Sequence, residues 1–285
     1  RFSLVARRAW LRSIACLIAS LGLCPAPALA ADKAVEVGVL PNVSARVLMT
    51  HYEPMQQYLN RQLPTPVNIS TAPDWREFYQ RAKRGEYQVV VVAANVARLL
   101  ERDLGFRSIL IYQPRIPALL ITRKGDNTEL GQLLRGHTVA MANPASLVVF
   151  RGLEWLGRAG LNAGDQYQMV QVRRDDSVGN AVLRGESAAG ILSMGEFKAH
   201  PAAVQEQLSI RATMAEVPSF VVSVAKELSN EQLALWRRHL LAFAESSEEG
   251  KEFFRRSGFR GMTPLREREL NELDAFVDKT RQALD

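Results

Sequence analysis

The chain has 285 residues, of which 47% are hydrophobic and 23% charged, a composition typical of globular proteins and not of disordered or fibrous chains. The formal net charge is +6, but the first 30 residues contain four arginines and no acid, which leaves 32 basic and 30 acidic side chains in the remainder. Such a small excess, with both signs interspersed, argues against a nucleic-acid partner.

Residues 1–30 have the order of a secretory signal peptide. RFSLVARRAWLR is basic, SIACLIASLGLC is apolar, and PAPALA places small residues before the cleavage that we expect after Ala30. The apolar run is shorter than the roughly 20 residues that span a bilayer. Arg7 and Arg8 fit either the twin-arginine export route or an ordinary basic leader. We therefore expect a periplasmic protein, and since both cysteines lie in this leader, the rest of the chain has no disulfide.

From Val35 onward, short β-branched runs alternate with amphipathic helical segments. VEVGVL, VNIST and YQVVVVA are predicted strands, and the segment after each is a predicted helix. Asp74 is the expected N-cap of the helix DWREFYQRAKRG, and Gly85 marks its end. YQVVVVA is apolar throughout, which predicts a buried parallel strand.

Two proline-containing extended runs interrupt this alternation. SILIYQPRIPALLITRKG contains two prolines in a strand-rich stretch, which indicates a chain crossing between lobes. A second alternation follows, with HTVAMA, YQMVQV and AAGILS as strands, and AEVPSFVVSVAKEL then resembles the first crossing in kind. The tail, from NEQLALWRR onward, is predicted to be helical.

Alternating β/α units predict parallel-rich sheets flanked by helices. Two such sets, joined by two crossings that act as hinges, predict a two-lobed α/β fold with a cleft between the lobes. The predicted first lobe is discontinuous and comprises residues 31–115 and 217–285. Residues 116–216 form the predicted second lobe.

Polar residues after the predicted strands are the candidates for ligand binding, because open α/β sheets bind ligands at the carboxyl ends of their strands. The candidates are Asn42, Ser44, Asn95, Asn143, Ser146 and Ser177. Most of them also fit a turn or a helix N-cap. Tyr112, near the first crossing, either covers a ligand with its ring or belongs to the core, and Ser219, in the return crossing, is a further candidate contact.

Catalytic and metal-binding patterns are weak in this sequence. The four histidines show no metal-ligand spacing, and neither HExxH nor a P-loop occurs. GESAAG is similar to a nucleophile elbow around Ser187, but Ala189 stands at the place of the last glycine, and the turn runs from helix to strand instead of strand to helix. We expect no cofactor, no metal and no enzymatic activity.

The order of elements resembles the periplasmic substrate-binding proteins of ABC transporters for phosphonate, phosphite and phosphate. The stretches that carry the resemblance are VGVLPNVSARV, VVVVAANVARL, LRGHTVAMANPAS and AEVPSFVVSVAKEL. The family motif is an acidic or amide residue, proline, any residue, then Ser-Thr-Ser-Gly at a helix start. In NPASLVV (143–149) the first four residues fit, and Leu-Val-Val stands in place of Thr-Ser-Gly.

The resemblance implies a type 2 periplasmic-binding-protein fold that holds a small-molecule anion between its lobes and delivers it to an inner-membrane ABC permease. The alternative is a periplasmic sensory or accessory protein of the same fold that binds a partner protein, such as a membrane sensor protein, instead of delivering a solute. Each missing hydroxyl would remove a hydrogen bond to a charged ligand, worth roughly 1.5–3 kcal/mol. A helix N-terminus with its free N–H groups still attracts an anion, so the resemblance implies a weaker anion site than the family motif provides.

Overall fold

The computed structural model describes residues 34–172, 177–266 and 268–285. The predicted signal peptide, residues 1–30, lies outside the described residues, as do Arg173 to Asp176. Within the described part of the chain, no helix is both long and apolar enough to cross a membrane.

The strands, in chain order, are β1 (Val35–Val39), β2 (Val67–Ser70), β3 (Val89–Val92), β4 (Arg107–Gln113), β5 (Ile116–Arg123), β6 (Thr138–Met141), β7 (Gln168–Gln171), β8 (Ala189–Ser193), β9 (Leu208–Val217), β10 (Val221–Val224) and β11 (Gly261–Pro264).

The helices, in chain order, are α1 (Ala45–Gln62), α2 (Trp75–Lys83), α3 (Ala94–Leu104), α4 (Leu130–Leu134), α5 (Leu147–Arg158), α6 (Ser177–Arg184), α7 (Met194–Ala199), α8 (Ala202–Gln205), α9 (Asn230–Ser246), α10 (Glu248–Ser257) and α11 (Val277–Leu284), with a 3₁₀ helix at Asn271–Phe276 before the last.

The strands form two separate sheets, which confirms the predicted two-lobed α/β fold. The first sheet has the order β11-β4-β10-β3-β1-β2, and the second has the order β7-β6-β8-β5-β9. We call each sheet with its helices a lobe. The chain passes between the sheets twice, from β4 to β5 and from β9 to β10. The boundaries at 115/116 and 216/217 stay a proposal.

Both sheets are mixed. β1 is parallel to β2 and β3, and β6 is parallel to β7 and β8. The strands next to the crossings add antiparallel pairs, so β3 is parallel to β1 on one side and antiparallel to β10 on the other. All four residues of β3 are buried, as the apolar run predicts. Its antiparallel partner was not predicted, because β10 reaches it only through the return crossing.

Local signals for helix ends are confirmed at α2. The Asp74 side chain accepts a hydrogen bond from the backbone N–H of Glu77 (2.8 Å), and Gly85 adopts φ 71° just after the helix. A left-handed Gly105 (φ 74°) ends α3 in the same way. A bulkier residue at either glycine would be strained, because side chains disfavour positive φ. Asp74 thus sets the start of α2, and Gly85 and Gly105 set the ends of α2 and α3.

The core runs through both sheets as one apolar cluster, with a smaller cluster on the other face of the second sheet. In the first lobe, β1 lies so close to Tyr87 that a Cβ on Gly38 would approach its ring to 2.7 Å. The C-terminal helix α11 packs on α2 and α3, and α5 packs on β5, β8 and β9.

The tail that was predicted to be helical also contains the strand β11. This strand was not predicted, because its four residues (GMTP) carry no periodic pattern.

Candidate functional site

Two helix starts lie side by side at one edge of the first sheet. β1 and β3 are parallel neighbours in which Val39 pairs with Val91, and the N–H of Leu40 donates to the carbonyl of Val91 (2.9 Å). Because the two strands end together, the helices that follow them, α1 and α3, begin near the same place. This is the strand-end position at which open α/β sheets bind ligands.

A third helix start comes from the second lobe and is shaped by Asn143. Its side-chain Oδ1 accepts from the N–H of Ala145 (2.8 Å), and its carbonyl accepts from the N–H of Ser146 (3.1 Å). This local turn leads from β6 into α5, with Ser146 as the N-cap. Asn143 therefore forms a turn, which is one of the two roles that the sequence predicts for it. The Ser146 hydroxyl makes no capping bond.

Asn95 joins the starts of α3 and α5 across the two lobes. It is the second residue of α3, its side chain is only 1% exposed, and its Nδ2 donates to the carbonyl of Ala145 (2.8 Å). The same Nδ2 donates to Oγ1 of Thr280 in α11 (3.0 Å), which in turn donates to the carbonyl of Phe276 (2.7 Å). The starts of α3 and α5 are thus in direct contact, and the start of α1 follows the strand next to β3.

These three helix starts share a feature in the described part of the chain, which is that the N-cap residue makes no side-chain hydrogen bond to the helix. Ser44, Ala93 and Ser146 are the N-cap residues of α1, α3 and α5, and none makes a side-chain cap hydrogen bond. By contrast, the starts of α2, α4, α7, α9 and α10 are all capped by their own side chains. The short α8 and the C-terminal helices also lack such a cap, but no strand end leads directly into them.

The lack of caps has an electrostatic consequence. The first N–H groups of a helix have no intrahelical partner, and each N-terminus carries about half a positive charge. The uncapped starts of α1, α3 and α5 therefore each favour a negative charge nearby, and α1 also carries Arg46 in its first turn. Backbone N–H groups arranged in this way bind oxyanions.

The first turn of α5 is apolar. Leu147, Val148 and Val149, which stand in place of the family's polar grips, are between 3% and 7% exposed. Next to them, the ring of Phe150 stacks on Phe276 with centroids 5.7 Å apart and planes 3° from parallel. The side chains of this turn are therefore buried, Phe150 packs against the C-terminal segment, and the backbone and Ser146 are the groups of this turn that can bind an anion.

Two buried polar atoms near the start of α3 have no partner in the described chain, namely Oδ1 of Asn95 and Oγ of Ser219. Ser219 is 1% exposed. Since Val221 pairs antiparallel with Val92, Ser219 lies beyond this pair on the side where β3 leads into α3. Buried polar atoms are nearly always hydrogen-bonded, so each of these two atoms is open to a hydrogen bond from a polar ligand or a water molecule.

Asn42 and Ser44 lie at the start of α1. Asn42 is half-buried and its N–H donates to the carbonyl of Leu40 (2.9 Å), while Ser44 is exposed. Ser44 occupies the N-cap position, with φ −58° and ψ 142°, but its hydroxyl makes no capping bond. Both residues therefore lie just before α1, and within the described residues the Ser44 hydroxyl does not cap this helix.

Tyr112 is placed in the core of the first lobe, which argues against contact with a ligand. It is 1% exposed, its hydroxyl lies 3.4 Å from that of Tyr52, and its ring packs edge-on against Phe254 and Phe259. Burial raises the pKa of Tyr52 to about 12 and that of Tyr112 well above its usual value. The two hydroxyls therefore stay neutral, and we remove Tyr112 from the proposed ligand set.

Ser177 begins α6, and its side chain lies outside the described residues. The nearby N–H of Gly179 donates to Nε2 of His200 (3.2 Å), whose Nδ1 lies 2.8 Å from the carbonyl of Glu196. A buried histidine therefore takes up part of the α6 N-terminus. This contact was not predicted, because His200 is 21 residues away and the sequence carries no signal for it.

Two further polar residues, Ser187 and Arg115, have structural roles in the described chain. Ser187 is buried, with its Oγ 3.0 Å from Oγ1 of Thr138, a geometry that differs from a nucleophile with its base. Arg115 donates to the carbonyl of Glu216 (2.9 Å) at the crossing. Among the described residues, no cluster of three or more potential ligands could hold a metal ion.

Comparison with known proteins identifies the family. The family model described as "ABC transporter, phosphonate, periplasmic substrate-binding protein" matches residues 37–270. The chain belongs to this family. Its members are periplasmic binding components that take up a small-molecule ligand and work with an inner-membrane ABC permease. No relative among the curated proteins matches the sequence.

Solved structures with the same fold include three with informative ligand descriptions. PhnD1 from Prochlorococcus marinus, in complex with methylphosphonate, is 13% identical over 88% of this chain and 99% of its own, with a TM-score of 0.75. XAC2383 from Xanthomonas citri, bound to ATP, is 23% identical over 88% and 99%, with a TM-score of 0.71. The aliphatic sulphonate-binding protein SsuA from Escherichia coli is 12% identical over 88% and 94%, with a TM-score of 0.62. At these identities the likeness concerns the fold.

Proposed function

We propose that this protein binds a small oxyanion of the phosphonate, phosphite or phosphate class between its lobes and delivers it to the permease. The observation that supports this proposal is a set of three uncapped helix starts, those of α1, α3 and α5, of which α3 and α5 are in contact and α1 follows the strand next to β3. All three oxyanions named here carry several acceptor oxygens, which match an array of backbone N–H donors. The description of PhnD1 as a methylphosphonate complex points to the same ligand class.

The proposed ligand contacts come from both lobes. Asn42, Ser44 and Asn95 would hold one side of the ligand, and Asn143, Ser146 and Ser177 the other. For Asn143 the contact would be indirect, since its side chain is used to shape the turn before α5. A ligand that contacts both lobes stabilises the closed form over the open form, which is the usual basis of hinge closure in two-lobed binding proteins.

The apolar first turn of α5 makes the backbone the main source of donors in this proposal. Each hydrogen bond from an N–H to a charged ligand contributes about 1.5–3 kcal/mol. Loss of a single N–H should therefore reduce affinity about 10- to 100-fold at roughly 1.4 kcal/mol per decade.

The test removes one backbone N–H and leaves the fold intact. Ala45 is exposed and is the first residue of α1, a position where proline is well tolerated, and the preceding Ser44 already has the extended ψ of 142° that proline requires. We expect Ala45→Pro to bind methylphosphonate about 10- to 100-fold more weakly than the wild type in titration calorimetry, with little change in the melting temperature.

The matched control is Glu248→Pro, which places the same residue at the first position of α10, a helix that the Ser247 side chain caps and that packs against α1 and α9. This variant should retain wild-type affinity. Equal affinity of Ala45→Pro and Glu248→Pro would contradict a role for the α1 N-terminus in anion binding.

A further inference from the structure

Asn95 has an amide group in which only the nitrogen is satisfied. Its Nδ2 uses both hydrogens, toward the carbonyl of Ala145 and toward Oγ1 of Thr280, while its Oδ1 is buried and accepts from no donor in the described chain. An unpaired buried acceptor costs folding free energy, so this oxygen favours any ligand that brings a donor to it.

The neighbours of Asn95 fix which way the amide points. The carbonyl of Ala145 can only accept, and Oγ1 of Thr280 directs its single hydrogen to the carbonyl of Phe276 (2.7 Å). Rotating the amide by half a turn would set Oδ1 against these two acceptors. The nitrogen therefore faces Ala145 and Thr280, and the oxygen faces away from them.

The unpaired oxygen lies in the first turn of α3, where the uncapped helix start favours an anion. An unpaired acceptor beside an uncapped helix start distinguishes between anions by whether they carry a proton. A fully deprotonated anion would place its own acceptor oxygens against Oδ1, which is repulsive, whereas an anion that retains one proton can donate that proton to Oδ1 and still accept from the helix N–H groups.

We infer that Asn95 selects a monoprotonated oxyanion, with Oδ1 accepting the hydrogen bond from its P–OH group, over an oxyanion that carries no proton. Ser219, whose buried hydroxyl is also unpaired near the start of α3, can donate to or accept from the same ligand group. The ligand class is then a phosphonate or phosphate monoanion, and sulfonates and sulfate are disfavoured since they hold no proton near neutral pH. This inference rests on the proposed anion site.

The test compares two ligands of nearly the same shape, methylphosphonate and methanesulfonate, by titration calorimetry of the purified protein. The wild type should bind methylphosphonate at least about tenfold more tightly, because a buried polar group left unpaired discriminates strongly between ligands. Its affinity for methylphosphonate should fall as the pH rises and the ligand loses its last proton.

Two variants distinguish the effect of the Asn95 Oδ1 acceptor from the effect of the hydrogen bonds that its amide nitrogen makes. Asn95→Leu removes Oδ1, so the ratio of the two affinities should fall to near one. Thr280→Val removes a partner of the same amide but keeps Oδ1 facing the ligand, so the ratio should stay close to that of the wild type. Because the readout is a ratio, a general loss of binding in either variant does not affect it.

Equal binding of both ligands to the wild type would overturn this inference and leave the proposed anion site standing. Binding of neither ligand, nor of phosphite or phosphate, would overturn the proposed function itself. Should Asn95→Leu fail to fold, the pH profile of the wild type decides, since an affinity for methylphosphonate that is constant or rises with pH also overturns the inference.

Discussion

Asn95 is the residue at which the two lobes meet most directly. A single buried amide contacts the turn before α5 in one lobe and the C-terminal helix in the other. The sequence predicts Asn95 as a candidate ligand residue, because polar residues that follow a buried strand are expected at the ligand-binding edge of the sheet. It could not locate Thr280, which lies 185 residues away and is brought close only by the packing of α11 on α3.

A second residue with a testable electrostatic property is His51 in α1. Its ring stacks on Phe253 with centroids 4.2 Å apart, and burial, followed by the charge of Arg256, lowers its pKa below the usual value of 6.5. The folded state then binds fewer protons than the unfolded chain, so stability falls as the pH drops through about 6.5.

We expect His51→Phe to retain the stacked ring and lose this pH dependence. Thermal melting between pH 7.5 and 5.5 should show a smaller decrease in melting temperature for the variant than for the wild type. Equal decreases would mean that the proton affinity of His51 does not differ between the folded and unfolded states.

Among the elements, the start of α5 was predicted from the sequence, whereas the packing of its side chains was not. The sequence NPASLVV predicts a helix start with fewer hydroxyls than the family motif, and the structure has Ser146 as the N-cap. The pattern does not reveal that the apolar residues are used for packing, with Phe150 stacked on Phe276 of the 3₁₀ helix. That contact joins segments 126 residues apart, and the guanidinium of Arg151 lies over the same Phe276 ring (4.6 Å).

Phe276 is 1% exposed and stacks on Phe150, so we expect that removing its ring lowers the stability of the fold strongly. Phe276→Ala should lower the free energy of unfolding by about 3–5 kcal/mol, as truncation of a buried phenylalanine does. Val47→Ala, at a side chain that is 54% exposed, is the control and should change it by less than about 0.5 kcal/mol. Denaturant unfolding measures both. A loss below about 1 kcal/mol in Phe276→Ala would show that the C-terminal segment is not held by this ring.

For the molecule as a whole, β/α alternation and the two proline-containing crossings are sufficient to predict two sheets and a cleft. They do not predict β11 or the antiparallel neighbours of β3 and β5, because such pairings join segments that are distant in sequence. Contacts such as that between Asn95 and Ala145 already connect the lobes. A ligand between them would add to these contacts and favour the closed form.

The most direct test of this account is thermal melting of the purified protein against a panel of methylphosphonate, phosphite, phosphate, methanesulfonate and neutral osmolytes. A ligand that binds only the folded protein raises its stability by RT ln(1 + [L]/Kd), about 2.7 kcal/mol at a hundred times Kd. We predict an increase in melting temperature with the phosphorus oxyanions and none with the osmolytes. An increase with the neutral solutes alone, or with none of the panel, would contradict binding of an oxyanion by the three helix starts.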